Sequence, residues 1–351
     1  MSLRVLVTGH NGYIGSVLAP YLKRQGHDVH GVDSFYFGRD CSFCPDDTVI
    51  PGLRMDIRDL AAQDLAGYDA VVHLAALCND PLGNLRPEWT FAINYEASVR
   101  LAELAKAAGV RRFLMASSCS MHGKSTDARV TEDTPVSPLT PYGLSKIQAE
   151  AAISKLADDR FSPTFLRNGT VYGVSPRLRV DIVLNNLAAW AFTTGRVRIL
   201  SAGTQWRPII HVEDVSAAFL AAMSAPKDVV HNQVFHVGTN KANYTIRDLA
   251  EIVKSCVPGC SIEYLKDASA DERTYIADFS KIERMLPEFR PRWDAESGTR
   301  QLLDAYRDYG LKEEDLAGAR YVRLNRINTI VQAGEIDETF RWRDRARHYD
   351  R

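Results

Sequence analysis

Short apolar runs alternate with segments of helical period through the first half of the chain. Residues 3–8 read as a buried strand, 28–33 ("DVHGVD") as a second and 70–76 ("AVVHLAA") as a third. Residues 13–25 and 91–109 carry helical periodicity, and the second of these stops at Gly109. "RRFLMASS" predicts the next strand. Residues 140–159 predict a helix, with Thr140 as N-cap and Pro141 at its first position, and "SPTFLRNG" a further strand. Strands alternating with helices imply an α/β fold built on a doubly wound parallel sheet.

Past residue 170 the pattern mixes. "VRIL", "RPIIHV" and "QVFHVG" read as short strands, and 180–193, 213–224 and 245–255 as helices. Charged, helix-like segments run from 295 onward. The expectation is a sheet domain over 1–170, its core extending through interleaved segments to about 240. Residues 171–351 should form mainly a smaller mixed α/β lobe and C-terminal helices, packed on the first domain. The tail "RWRDRARHYDR" reads as a solvated helix or arm.

Composition narrows the function. A chain of 351 residues can build a large core. Its net charge of -1 gives no footprint for nucleic acid or an anionic membrane, and no apolar run reaches spanning length. The N-terminus enters the first strand without a leader pattern, so a cytoplasmic protein with reduced thiols is expected. Cys41 and Cys44 fall in a polar loop, and Cys256 and Cys260 flank a Pro-Gly turn. Spacing alone does not make these pairs a zinc site, and no metal is expected.

"VTGHNGYIGS" at 7–16 places Gly9, Gly12 and Gly15 between a strand and a helix. Glycines let a helix N-terminus approach a pyrophosphate, where unpaired N–H groups and the helix dipole favour an anion. Asp33 ends the second strand, where a carboxylate can bind the ribose 2′-hydroxyl of NAD and would repel the 2′-phosphate of NADP. In "PYGLSK", Tyr142 and Lys146 stand one helical turn apart. An ammonium beside a phenol lowers its pKa, which would make Tyr142 a base for a sugar hydroxyl. "ASSCSMHG" ends a strand at the edge where such sheets bind ligands, and its serines could complete a Ser-Tyr-Lys set.

Together with "MDIRD", "RNGTVYG" and "RPIIHVEDV", in this order, these motifs resemble the extended short-chain dehydrogenase/reductases, the NAD-dependent nucleotide-sugar epimerases and dehydratases. The resemblance covers roughly residues 3 to 290. It implies a Rossmann domain that binds NAD and a nucleotide-diphosphate sugar, in a homodimer built on helices 91–109 and 140–159. Gly9, Gly12 and Gly15, with Asn11, Tyr13 and Ile14, would seat the pyrophosphate. Asp33 would hold the adenine ribose, and Asp56 and Ile57 the adenine. Leu74, Ala75 and Ala76 would line the cofactor path with Asn94 near it, and Lys146 would hold the nicotinamide ribose. One count makes Ser118 the catalytic hydroxyl beside Tyr142 and Lys146; another allows Ser117, which otherwise joins the cofactor set. His122 stands where the family has Tyr, and reads as a packing change. Arg207 and Arg273 would grip the substrate diphosphate, with Cys119, Thr170 and Asn185 also on the substrate side.

The resemblance leaves the reaction open among several. Dehydratases of this kind carry an Asp-Glu pair after the catalytic hydroxyl, and the related decarboxylases a Glu; here Cys119 and Ser120 follow Ser118. A 4-epimerase working through a transient 4-keto sugar is therefore expected. The alternatives are a 3,5-epimerase using Cys119 as an acid-base group, a dehydratase, and a regulatory protein that binds NAD without catalysis.

Overall fold

The computed structural model describes residues 2–46, 48–78, 80–125, 129–265, 272–344 and 348–350. In chain order its strands are β1 (Arg4–Thr8), β2 (Asp28–Asp33), β3 (Gly52–Arg54), β4 (Ala70–His73), β5 (Arg112–Ser118), β6 (Ser162–Asn168), β7 (Thr170–Tyr172), β8 (Arg196–Ile199), β9 (Trp206–His211), β10 (Gln233–Val237), β11 (Asn243–Thr245), β12 (Ser261–Tyr264) and β13 (His348–Asp350). Seven of them form a parallel sheet in the order β10-β6-β5-β4-β1-β2-β3. β1, β4, β5 and β6 are almost wholly buried because helices cover both faces. Val5, Val7 and Val72 pack on one side with Leu18, Leu22 and Phe219; Leu6, Val71 and Phe113 pack on the other with Leu101 and Ile153.

From β1 the chain winds outward to β2 and β3, then crosses back and winds the other way through β4. The order reverses between β1 and β4, which opens a crevice at their C-terminal ends. His73, in the centre of the sheet, ties this junction. Its ring nitrogens meet Thr8 Oγ1 at 2.7 Å and Ser98 Oγ at 2.8 Å, and burial pulls the imidazole down to about 3.

Beyond β6 the chain contributes to more than one sheet. "QVFHVG" returns to the main sheet as β10, beside β6. β7, β9 and β11 form a small mixed sheet, and β8 pairs with β12. Around them, Leu184, Leu187, Val197, Leu249, Leu302 and Tyr306 make a separate apolar core. No helix among the described residues is long and apolar enough to cross a membrane.

Two segments differ from the expectation. Residues 91–109 are not one regular helix: Phe91–Glu96 is a π-helix leading into Ala97–Ala107. Such widened turns gather at functional sites, and this one carries Asn94. The expected solvated helix or arm at the tail is not what its described residues form. Trp342 donates to the Ser34 carbonyl at 2.5 Å, and Phe340 packs between Tyr36 and Trp89. β13 then pairs antiparallel with β3 and becomes the edge of the main sheet. The aromatic residues decide this: they have an apolar site under the loop after β2, which the charge run around them hides.

Candidate active site

A cavity of about 1140 Å³ opens at the reversal point and runs from Gly9 to Arg198. Sites for a single drug-sized ligand occupy roughly 300–1,000 Å³, so this one has room for two ligands side by side. At one end, Gly9 takes a left-handed φ of +77° as the chain leaves β1. A Cβ there would lie 2.8 Å from the Ala75 nitrogen, and one on Gly15 would collide with the Gly9 carbonyl and the His10 backbone. These two glycines let the loop fold and the helix Gly15–Arg24 pack close to the sheet. Gly12 lines the cavity between them, at a helix start where no side chain caps the N–H groups.

Asp33, Asp56, Ile57, Leu74, Ala75, Ala76, Tyr13 and Ile14 line the same end. Asp33 is held by two backbone donors, Asn11 N–H at 3.0 Å and Phe35 N–H at 2.7 Å. Each of its oxygens keeps acceptor capacity. Asn11 itself does not line the cavity. Its N–H is committed to Asp33, and its side chain bridges the Phe37 carbonyl and Arg177. It shapes the loop, which corrects its expected contact with the pyrophosphate. The Asp56 carboxylate is paired with Arg58 at 2.6 Å.

The helix Pro141–Ser154 carries the other end. Thr140 caps it as expected, accepting from Gly143 N–H at 3.2 Å while donating to Asp80 at 2.6 Å. A buried ion pair, Arg167 Nη2 to Glu150 Oε2 at 2.7 Å, fastens the helix to β6. Removing one partner of such a pair costs about 3–5 kcal/mol. On this helix Lys146 is buried, with Nζ donating to the Ala116 carbonyl at 3.0 Å. Tyr142 is hydrogen-bonded to Ser118. Of the two candidate serines, Ser118 therefore stands with Tyr142. Ser117 also lines the cavity, and its hydroxyl is buried with no hydrogen-bond partner among the described residues.

The electrostatics of this set differ from the expectation. Burial pushes the Tyr142 phenol well above its ordinary value, with Cys78 and Asp80 adding to the rise; the Ser118 hydrogen bond and Arg179 oppose it. Burial also pulls Lys146 down to about 8. Desolvation, which spacing along a helix does not reveal, outweighs the acidifying effect expected of Lys146.

Three further assignments change. Asn94 does not face the cavity. It is buried, exchanging hydrogen bonds with the Leu77 backbone at 2.8 and 3.0 Å and reaching Ser145, so it locks the loop after β4 onto the helix Pro141–Ser154. Asn185 is turned away by one position: it holds Gly173 N–H and the Tyr13 hydroxyl, while Asn186 lines the cavity. Cys119 is fully buried in the core, with Sγ on the Arg167 carbonyl at 3.0 Å, and burial pushes its thiol up. It has neither access nor acidity for acid-base chemistry. His122 is buried against His236, their Nε2 atoms 3.1 Å apart.

Thr170, Arg207 and Arg273, expected on the substrate side, also line the cavity. Arg207 is buried and donates to the Trp206 and Arg273 carbonyls. Arg273 forms an ion pair with Asp80 at 2.5 Å, linking the second lobe to the loop after β4. Sequence reasoning missed Cys78, Arg179, Asp181, Arg198 and Arg323, which also line the cavity. No single motif marks them; they meet only in the fold. Among the described residues no group of His, Cys, Asp or Glu could hold a metal ion.

A reversal-point cavity with a glycine loop, a strand-end Asp and a Ser-Tyr-Lys set defines a dinucleotide-dependent enzyme of the Rossmann type. The chain belongs to the NAD dependent epimerase/dehydratase family, whose sequence model matches residues 5–238. A UDP-glucose 4-epimerase of Corynebacterium glutamicum is 27% identical over 81% of this chain and 90% of its own length. That of Mycolicibacterium smegmatis is 30% identical over 73% and 83%. Among solved structures, MoeE5 in complex with UDP-glucuronic acid and NAD is 30% identical and superimposes with a TM-score of 0.76, covering 87% of this chain and 99% of that one. The cofactor is NAD, and the residues fit it: Gly12 leaves the helix start open, Asp33 keeps acceptor capacity, and the Ser117 hydroxyl is unpaired.

Proposed function

We propose that the enzyme is a nucleotide-sugar 4-epimerase that works through a transient 4-keto sugar. The observation that carries this reading is the Ser118–Tyr142–Lys146 set on the cavity wall with no carboxylate at the two positions after Ser118. Cys119 is in the core and Ser120 is hydrogen-bonded to Ser118 at 2.8 Å, so neither supplies the acid that water elimination needs. The names of the relatives, 4-epimerases acting on UDP-glucose, support the same chemistry and a uridine diphosphate sugar as substrate.

Gly12, Tyr13, Ile14 and Asp33 hold the adenosine diphosphate half of NAD, and Ser117 and Lys146 the nicotinamide half. Bound NAD supplies a hydride acceptor and a positive charge. Tyr142 takes the proton of the C4 hydroxyl. Burial alone keeps its phenol protonated, so the reaction depends on nearby positive charge and on Ser118 to stabilise the phenolate. Arg207 and Arg273 grip the substrate diphosphate, whose oxygens match a guanidinium fork; on binding they displace Asp80 from Arg273.

A panel of UDP-hexoses incubated with the enzyme, with products separated by chromatography and assigned by NMR, tests the reading. A C4 epimer is expected, lost on Tyr142→Phe while NAD remains bound. Release of water with a stable 4-keto-6-deoxy product contradicts it.

A further inference from the structure

Arg323 opens the helix Arg323–Gln332, beyond the part of the chain that the family match covers. It lines the cavity, yet its side chain is almost wholly buried, 2% exposed. Nη2 donates to the Arg177 carbonyl at 2.8 Å, and the guanidinium lies over the Phe37 ring at 3.8 Å. Nη1 is buried and has no hydrogen-bond partner among the described residues. A buried cation with an unsatisfied donor is expensive to keep unless something anionic meets it. The protein supplies only a shared one. Asp181 acts electrostatically on Arg323, but its carboxylate is already gripped by Arg179 through two hydrogen bonds of 2.9 Å. Two guanidinium groups and one carboxylate leave this wall of the cavity with a net positive charge. Burial and the like charge of Arg179 pull Arg323 down to about 10, so it stays cationic at neutral pH.

The location selects the anion. Both residues that fix Arg323 also fix the glycine loop: the Phe37 carbonyl accepts from Asn11 Nδ2 at 3.2 Å, and Arg177 Nη2 donates to Asn11 Oδ1 at 2.5 Å. Arg323 is thus tied, through Phe37 and Arg177, to Asn11, the residue beside Gly12. That loop has given up the Asn11 N–H to Asp33, so it faces an anion with one donor fewer. We propose that Arg323 is a ligand of the NAD pyrophosphate and that the C-terminal segment is a clasp on the cofactor. The segment has the anchors for this task. Arg326 donates to the Tyr36 carbonyl at 3.1 Å, Tyr36 donates to the Phe340 carbonyl at 2.5 Å, and Trp342 holds Ser34, so the loop between Asp33 and Phe37 is pinned from outside.

The test uses full-length protein stripped of NAD and titrated by calorimetry with NAD, ADP-ribose and adenosine; the NAD-loaded enzyme is titrated with UDP. Arg323→Met should weaken NAD and ADP-ribose by about tenfold to a hundredfold, the range of one charge-assisted hydrogen bond. Adenosine, which has no pyrophosphate, and UDP should bind as to wild type. Arg323→Lys keeps the charge without the fork and should fall between wild type and Met for NAD. It also serves should the Met variant not fold. An equal loss for adenosine assigns Arg323 a merely structural role and overturns the proposal, as does unchanged NAD affinity in the Lys and Met variants. A loss confined to UDP gives the anion to the substrate instead and equally overturns it. The proposal rests on NAD as cofactor; failure of that premise shows separately, as absent NAD binding by the wild type.

Discussion

Lys146 gives the site a measurable dependence on pH. Its side chain is buried, its Nζ has the Ala116 carbonyl as partner, and burial pulls its ammonium from the ordinary 10.5 down to about 8. The unfolded chain keeps that proton up to the ordinary value. Between pH 8 and 10.5 the unfolded state therefore binds more protons than the native state, and stability rises with pH through this window. Integrating the single-proton difference from pH 7.5 to 10, at ~1.36 kcal/mol per unit, gives about 2 kcal/mol. Lys146→Met has no such proton. Urea unfolding of the NAD-stripped proteins, followed by circular dichroism at one protein concentration, yields the difference in stability between wild type and variant at each pH. That difference should move in favour of the wild type by about 2 kcal/mol from pH 7.5 to 10. Other titrating groups are common to both proteins and cancel. A difference constant to within about 0.5 kcal/mol would refute the reasoning, because native Lys146 would then titrate as it does in water.

Wild-type enzyme should bind NAD at least about tenfold tighter than NADP by calorimetry, and Asp33→Ala should lose the preference; equal or tighter NADP binding by the wild type contradicts the role of Asp33. Cys119→Ala should cost about 1–2 kcal/mol in urea unfolding, from the space left in the core, with kcat unchanged. A tenfold fall in kcat would return Cys119 to the chemistry.

What the sequence revealed was mostly local. Gly9 and Gly15 are required by close backbone contacts, and a strand–loop–helix of this spacing announces them. Thr140 and Pro141 start the helix Pro141–Ser154 because a cap and a fixed φ act within one turn. Tyr142 and Lys146 share a face for the same reason. Failures came where a residue's role depends on its burial or on a distant partner. Asn185 and Asn186 differ by one position on a helix, and only packing against Gly173 and Tyr13 shows which of them faces the cavity. Asn11 spends its N–H on a carboxylate 22 residues away. Desolvation around Tyr142 comes from the whole fold. Arg323 meets the Arg177 carbonyl across 146 residues of sequence, a pairing no local pattern encodes. In the tail, the charge run was legible, but the aromatic residues set its course.

The most direct test of the proposed chemistry is the fate of the hydrogen on C4. A UDP-hexose deuterated at C4 is converted by the enzyme in ordinary water, and the unlabelled sugar is converted in deuterium oxide; both products are read by NMR and mass spectrometry. Removal and return of hydride at one carbon predicts that the C4 epimer keeps its deuterium in the first case and gains none in the second. Loss of the label, or deuterium entering the ring at C3 or C5, would mean that the carbon acid is deprotonated by the protein, and would contradict 4-epimerisation through a transient 4-keto sugar.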